Sequence, residues 1–183
     1  RERALPINLA GDMRIALTGT PGTGKTTLAS LLPWRIVDIN ALVKAGLNLG
    51  RDEERGCLEA DMDALAARLD EMEQAWPAGE PVILEGHLSH HFADRAIVLR
   101  LSPSELAIRL EERGYSEAKI RENLEAEALD VILVEAVEMC SRVDEIDTTG
   151  KSPQEVAGIA GRIILEGLSR PPGQVNFLYD FFG

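Results

Sequence analysis

Two glycines five positions apart, followed by a lysine and a hydroxyl residue, stand in Gly19-Thr20-Pro21-Gly22-Thr23-Gly24-Lys25-Thr26. This is the P-loop pattern, and its chemistry is the holding of a polyphosphate. Gly22 and Gly24 let backbone N–H groups approach phosphate oxygens closely, and a helix that opens at Lys25 adds the positive end of its dipole. Lys25 can bridge the β- and γ-phosphates of ATP, and Thr26 can offer its hydroxyl to Mg²⁺.

A second constellation ends the apolar run Val82-Ile83-Leu84 with Glu85, Gly86 and His87. An acid delivered at the carboxyl edge of a buried strand can meet metal-bound water or an acceptor; the plainer alternative is a carboxylate that caps the turn. His87, His90 and His91 are all the histidines of the chain. With no cysteine beside them, His87 is expected to serve the nucleotide site, and His90 and His91 to be surface or packing residues rather than metal ligands. Arg109 and Arg113 are neighbours on one helix face and can converge on the triphosphate, or else form a solvated charge face with Glu105, Glu112 or Glu117. Thr148-Thr149-Gly150-Lys151 follows the last expected strand, where it can border a base.

The elements that position these groups are readable from apolar runs. Met13–Thr18, Arg35–Ile39, Val82–Glu85, Ala96–Leu101 and Val143–Asp147 predict five strands. Helices are expected over Lys25–Leu32 and Ala60–Gln74, and a Gly break at Gly114 separates one helix end from a fresh start. Ser102-Pro103-Ser104-Glu105 and Ser152-Pro153-Gln154-Glu155 each place Ser at an N-cap, Pro at the first helical position and Glu three residues after the cap. Strands alternating with helices predict an α/β fold with a central five-stranded parallel sheet flanked by helices. Residues 1–12 read as an N-terminal arm, 13–169 as the P-loop domain and 170–183 as a Pro/aromatic tail.

Composition narrows the function classes. The 183 residues carry 19 Lys and Arg against 31 Asp and Glu, for a net charge of -12, so direct RNA binding through a broad basic surface is not expected. No apolar run is long enough for a membrane span, and the opening residues lack the apolar core of a secretory signal, so a soluble, cytoplasmic protein is expected. Cys57 and Cys140 stand apart with no ligand-spaced partner, which argues against a disulfide framework or a structural zinc site.

Gly19–Thr27, Glu85-Gly86-His87, Arg109–Glu127 (RLEERGYSEAKIRENLEAE) and Thr148–Val156 together resemble the atypical adenylate kinase and ATPase family of archaea and eukaryotes. The resemblance runs from about Met13 to Ser169 and implies a P-loop NTPase of the nucleoside monophosphate kinase kind over that span. It implies phosphate-loop roles for Gly22, Gly24, Lys25, Thr26 and Thr27, a lid over about Glu112–Glu122 with Arg113 touching ATP, and a monophosphate region over about Asp38–Ala60. It also implies that Lys151 lies beside adenine. Two departures affect the acceptor side. The acid after the third expected strand is Glu85, where family members often carry Asp, and Lys44 stands where a relative would grip the acceptor phosphate with Arg, with Arg51 as a compensating cation.

The expected activity is therefore transfer from ATP-Mg²⁺ to AMP, giving two ADP, with ATP hydrolysis at the same site. Lys25, Arg113, His87 and Glu85 are the expected catalytic residues, Asp38, Lys44, Arg51 and Arg109 the acceptor-binding ones, and Thr26 and Glu85 the Mg²⁺ contacts, partly through water. A shikimate-type small-molecule kinase is the same-fold alternative, suggested by Asp38. An ATP-driven assembly factor is the other, because the family's eukaryotic members are linked to small-ribosomal-subunit maturation, which implies a basic ribosomal protein as partner. The aromatic residues Phe177, Tyr179, Phe181 and Phe182 suit either that partner or the protein's own core.

Overall fold

Buried residues alternate between two apolar faces in the central strands, so the sheet must be covered on both sides. In a computed structural model that describes residues 14–52 and 57–182, β1 (Arg14–Thr18), β2 (Arg35–Asp38), β5 (Val82–Glu85), β6 (Arg95–Arg100) and β7 (Arg142–Asp147) form one sheet in the order β2-β5-β1-β6-β7. All its pairings are parallel. The expected fold class is thus present, with strand ends shifted by about one residue.

One face is covered by α1 (Lys25–Ala29) and α7 (Pro153–Leu165). Ile15, Leu17, Ile83, Ile97 and Leu99 pack there against Leu28, Val156, Ala160 and Ile163. On the other face Ala16, Ala96 and Val98 meet Leu133 and Ala136 of α6 (Val131–Met139). Val37, Val82 and Leu84 share a cluster with residues of α2 (Ile39–Lys44) and α3 (Met62–Glu73). Burying a Leu, Ile or Val side chain contributes about 1.5–3 kcal/mol, so these layers fix the relative heights of the strand ends on which the site stands.

The remaining elements are the hairpin β3 (Asn48–Asp52) and β4 (Cys57–Ala60), a 3₁₀ turn at Ser89–Phe92, α4 (Pro103–Glu112), α5 (Glu117–Ala128) and α8 (Leu178–Phe182). The hairpin is antiparallel and forms its own two-stranded sheet inside the expected monophosphate region. Both Ser-Pro starts cap helices. Ser152 and Glu155 make a complete capping box. At α4 only the Ser102 half is present, and Glu105 Oε1 instead accepts from the Gly150 N–H at 3.0 Å, tying α4 to the loop after β7. The N-terminal arm, residues 1–12, lies outside the described residues.

The aromatic tail lies on the domain. Glu145 Oε2 accepts from the N–H groups of Gly173, Gln174 and Val175 at 3.0, 2.9 and 3.3 Å, and Phe177, just before α8, is buried. Tyr179 remains 85% exposed. Among the described residues no helix is long and apolar enough to cross a membrane.

Candidate active site

The chain reverses direction across the sheet at β1, and the crevice outside the carboxyl ends of such strands is where open α/β folds hold ligands. Residues 19–24 make the turn from β1 into α1 there. A Cβ at Gly19 would stand 2.5 Å from the Leu99 carbonyl oxygen, so only glycine lets the loop cross the neighbouring strand. At Gly22 φ is +99°, and a Cβ would stand 2.7 Å from Leu106 Cδ1 of α4. Its glycine requirement thus includes packing against α4 as well as access for an anion.

Lys25 reaches back over this loop. Its Nζ donates to the Gly19 and Thr20 carbonyl oxygens at 2.7 and 2.9 Å, which holds the loop in a ring around the ammonium group. Burial lowers its pKa to about 8, against the opposing pull of Glu85 and Glu127. An arriving polyphosphate supplies the negative charge that such a desolvated ammonium lacks. Thr26 Oγ1 donates to Glu85 Oε1 at 3.3 Å, so hydroxyl and carboxylate face one another across the α1–β5 gap. Burial pushes the Glu85 carboxyl above its usual range and Lys25 pulls it down. The Thr26 hydroxyl and the Glu85 carboxylate are hard oxygen donors beside the phosphate loop, which fit a Mg²⁺ ion that keeps part of its water shell.

His87 is half-buried, and its pKa falls to about 4 through burial, the Lys25 charge and His90, so the imidazole is neutral at pH 7. Asp38 is in register with Glu85 on the adjoining strand, and its charge raises the Glu85 pKa. One Asp38 oxygen is committed to capping α2, accepting from the Ala41 N–H at 2.9 Å. Lys44 ends α2 and Arg51 lies on β3. Both are exposed, and neither forms a hydrogen bond or ion pair among the described residues.

On the opposite side of the phosphate loop a cleft of about 380 Å³ is lined by Gly22, Gly24, Thr27, Arg109, Arg113 and Lys151, among others. Arg109 donates to the Gly22 carbonyl at 3.3 Å, because it lies on the face of α4 that packs against the loop. Arg113 is the exposed C-cap of α4, and its charge reaches Lys25. The segment Glu112–Glu122 contains the end of α4, the Gly114 turn and the first turns of α5.

Sequence reasoning missed the polar group beneath the loop. Thr20 Oγ1 donates to Glu127 Oε2, and Glu127 Oε1 accepts from Arg100 Nε at 2.9 Å and from the Leu101 N–H at 3.0 Å. Arg100 also donates to Glu145 at 2.6 Å and to Asp130. Glu127 is 2% exposed, yet in ENLEAEALD it is one acid among several, and its sequence context carries no sign of burial.

A five-stranded parallel sheet with a glycine-rich turn leading from its central strand into a helix defines a P-loop nucleotide-binding fold. The AAA domain family model matches residues 15–130, and the chain belongs to that family. It is 50% identical over 173 residues to a Methanosarcina acetivorans protein named "Putative adenylate kinase", covering 90% of this chain and 92% of that one. A Methanothermobacter thermautotrophicus protein of the same name is 51% identical over 170 residues, with coverages of 89% and 96%. The chain belongs to the same family as these relatives. Among solved structures, shikimate kinase from Acinetobacter baumannii matches with TM-score 0.56 at 17% identity, covering 84% of this chain and 93% of that one. Thymidylate kinase from Candida albicans matches with TM-score 0.54 at 14% identity, with coverages of 86% and 92%. These two likenesses concern the fold.

Proposed function

We propose that the protein is a nucleoside monophosphate kinase that converts ATP and AMP to two ADP and hydrolyses ATP more slowly at the same site. The observation that carries this reading is the two-sided phosphate loop. A nucleotide-sized cleft ringed by Arg109, Arg113 and Lys151 lies on one side, and the carboxylates Glu85 and Asp38 with neutral His87 lie on the other. The names of the archaeal relatives support the choice of acceptor.

In this reading Gly22, Gly24, Lys25, Thr26 and Thr27 hold the triphosphate, and Lys151 borders the base. An oxygen of the AMP phosphate forms a bond to the γ-phosphorus while the bond to the ADP oxygen breaks. That acceptor is already anionic, so it needs positioning rather than deprotonation. Asp38, Lys44 and Arg51 form the acceptor side, within a monophosphate region of about 38–60. Arg113 stabilises charge spreading over the transferring group, as part of a lid at about 112–122. Thr26 and Glu85 would hold Mg²⁺, partly through water, and the ion would supply charge neutralisation at the phosphates. Hydrolysis differs in needing a proton acceptor for water, and neutral His87 is the group suited to it.

Incubation with ATP-Mg²⁺ and each nucleoside monophosphate in turn, with water alone and shikimate as controls, tests the reading. ADP formed in step with AMP consumption is expected, and transfer to shikimate but to no monophosphate overturns it. His87→Ala should lower hydrolysis by about tenfold or more while lowering AMP phosphorylation less, since general acid–base groups contribute about 10² to 10⁴. We place this activity in the cytoplasm and in small-ribosomal-subunit maturation, following the sequence resemblance. A basic ribosomal protein suits the net charge of -12, and stimulation of ATP hydrolysis by such a protein is the corresponding measurement.

A further inference from the structure

A second group of ligand-type side chains lies behind the phosphate loop, and the proposed transfer uses none of them. His90 and His91, on the 3₁₀ turn, and Glu135, on α6, each offer one ligand atom, and these atoms lie within 4.8 Å of one another. His90 Nε2 and Glu135 Oε2 are 3.2 Å apart. We propose that His90, His91 and Glu135 bind a borderline divalent cation of the Zn²⁺ class, at a site separate from the Mg²⁺-nucleotide site.

Three features distinguish this group from a simple histidine–carboxylate hydrogen bond. The His90 ring is fully buried and its Nδ1 lies 3.1 Å from Thr18 Oγ1, a buried hydroxyl that also reaches the His87 carbonyl at 3.2 Å. A polar partner on the far ring nitrogen, aiming the near one at the ion, is the usual support of a metal-binding histidine. The His91 ring lies against that of His90, with centroids 4.4 Å apart, and forms no hydrogen bond among the described residues. The hydrogen bond to His90 therefore leaves this second imidazole unexplained. Glu135 has no Lys or Arg ion-pair partner among the described residues, so its carboxylate faces the two imidazole rings.

Two imidazoles and one carboxylate form a donor set of the three-ligand zinc kind, in which a fourth position takes water. The nitrogens disfavour Mg²⁺, which selects oxygen ligands, and this separates the group chemically from Thr26 and Glu85. Ligand atoms around a tetrahedral Zn²⁺ stand roughly 3.4 Å apart given metal–ligand bonds of about 2.1 Å. The Glu135 side chain is 45% exposed and free to make the closing movement. Binding would clamp the turn that follows His87 onto α6.

The test is a Co²⁺ titration of the untagged, nucleotide-free chain carrying Cys57→Ser, which removes the exposed thiol as a competing ligand. One equivalent of Co²⁺ should give visible d–d absorption that Zn²⁺ abolishes and excess Mg²⁺ does not. His91→Ala and Glu135→Gln should each weaken Co²⁺ by at least about tenfold. Thr18→Val, which removes the hydroxyl behind His90, should weaken it by about tenfold. Far-UV circular dichroism without metal checks that each variant is folded. No stoichiometric absorption, loss of the absorption to Mg²⁺, or wild-type Co²⁺ affinity in folded His91→Ala or Glu135→Gln overturns the site. None of these readouts depends on kinase activity.

Discussion

The Thr20 hydroxyl donates to Glu127 Oε2 at 2.5 Å, joining the phosphate loop to the far end of the helix that follows the Gly114 turn. Glu127 in turn pairs with Arg100, and Arg100 with Glu145, in a polar group buried beneath the loop. A buried ion pair adds little stability over an apolar replacement, but removing one member leaves the other charged and dry. Glu127→Ala should therefore cost about 3–5 kcal/mol in urea unfolding. Thr20→Val removes one hydrogen bond to a carboxylate that keeps its other partners, and should cost about 1–3 kcal/mol while lowering kcat. Wild-type stability in Glu127→Ala would show that water replaces the pairing.

The elements around this group differ in how far the sequence announced them. β1, the phosphate loop and the two Ser-Pro helix starts carry local signals: an apolar run, fixed glycine spacing and capping chemistry that acts within one turn. The hairpin at 48–52 and 57–60 is short and mostly exposed, so it lacks the alternation that marks a half-buried strand. VILVEAVEM forms α6 although its opening apolar run, residues 131–134, suits a strand equally, and Val134 and Val137 are about half exposed. Arg109, Glu127 and Arg100 acquire their roles from contacts between residues far apart in sequence, and charge patterning cannot distinguish a buried charge from a solvated one.

Lys25→Met should abolish both transfer and hydrolysis without lowering the melting temperature. The ammonium group is held in a buried ring of carbonyls with its pKa lowered to about 8, so the folded protein bears a desolvation cost in order to present it. Removing the charge relieves that cost and loses two hydrogen bonds, and the two effects are of similar size. Turnover near the wild-type level would refute the phosphate-loop assignment.

Stability should begin to fall below pH 6.5, earlier than carboxylate protonation alone would cause. Burial depresses the pKa values of His87 and His90 from 6.5 to about 4, so the unfolded chain binds these protons first. The stability of the neutral rings is present above pH 6.5 and is lost as pH falls through about 4. Urea unfolding in chelator-treated buffer between pH 7 and 5 is the measurement. His90→Gln should flatten the slope by about half, and an unchanged slope in that variant would assign the dependence to other groups.

Truncation after Arg170 should destabilise the domain rather than merely detach a partner-binding tail. The tail supplies three N–H groups to Glu145 Oε2, and Glu145 Oε1 accepts from Arg100 at 2.6 Å. It also places the Phe177 ring 5.5 Å from the Arg100 guanidinium, closing the outer side of the buried group. Without the tail, Glu145 and Arg100 regain access to water, which softens the penalty, but Phe177 burial and the amide hydrogen bonds are lost. Burying a Phe contributes about 1.5–3 kcal/mol and each hydrogen bond to a charged group about 1.5–3, with water recovering part of the latter. A loss of at least about 3 kcal/mol follows. Because Arg100 leads through Glu127 to Thr20, kcat should fall with stability even well below the melting temperature. Tyr179→Ala provides the contrast: this ring is exposed on α8, so its removal should leave both melting temperature and kcat unchanged. A truncated chain that melts normally and turns over normally would show that the tail lies on the domain without supporting the phosphate loop.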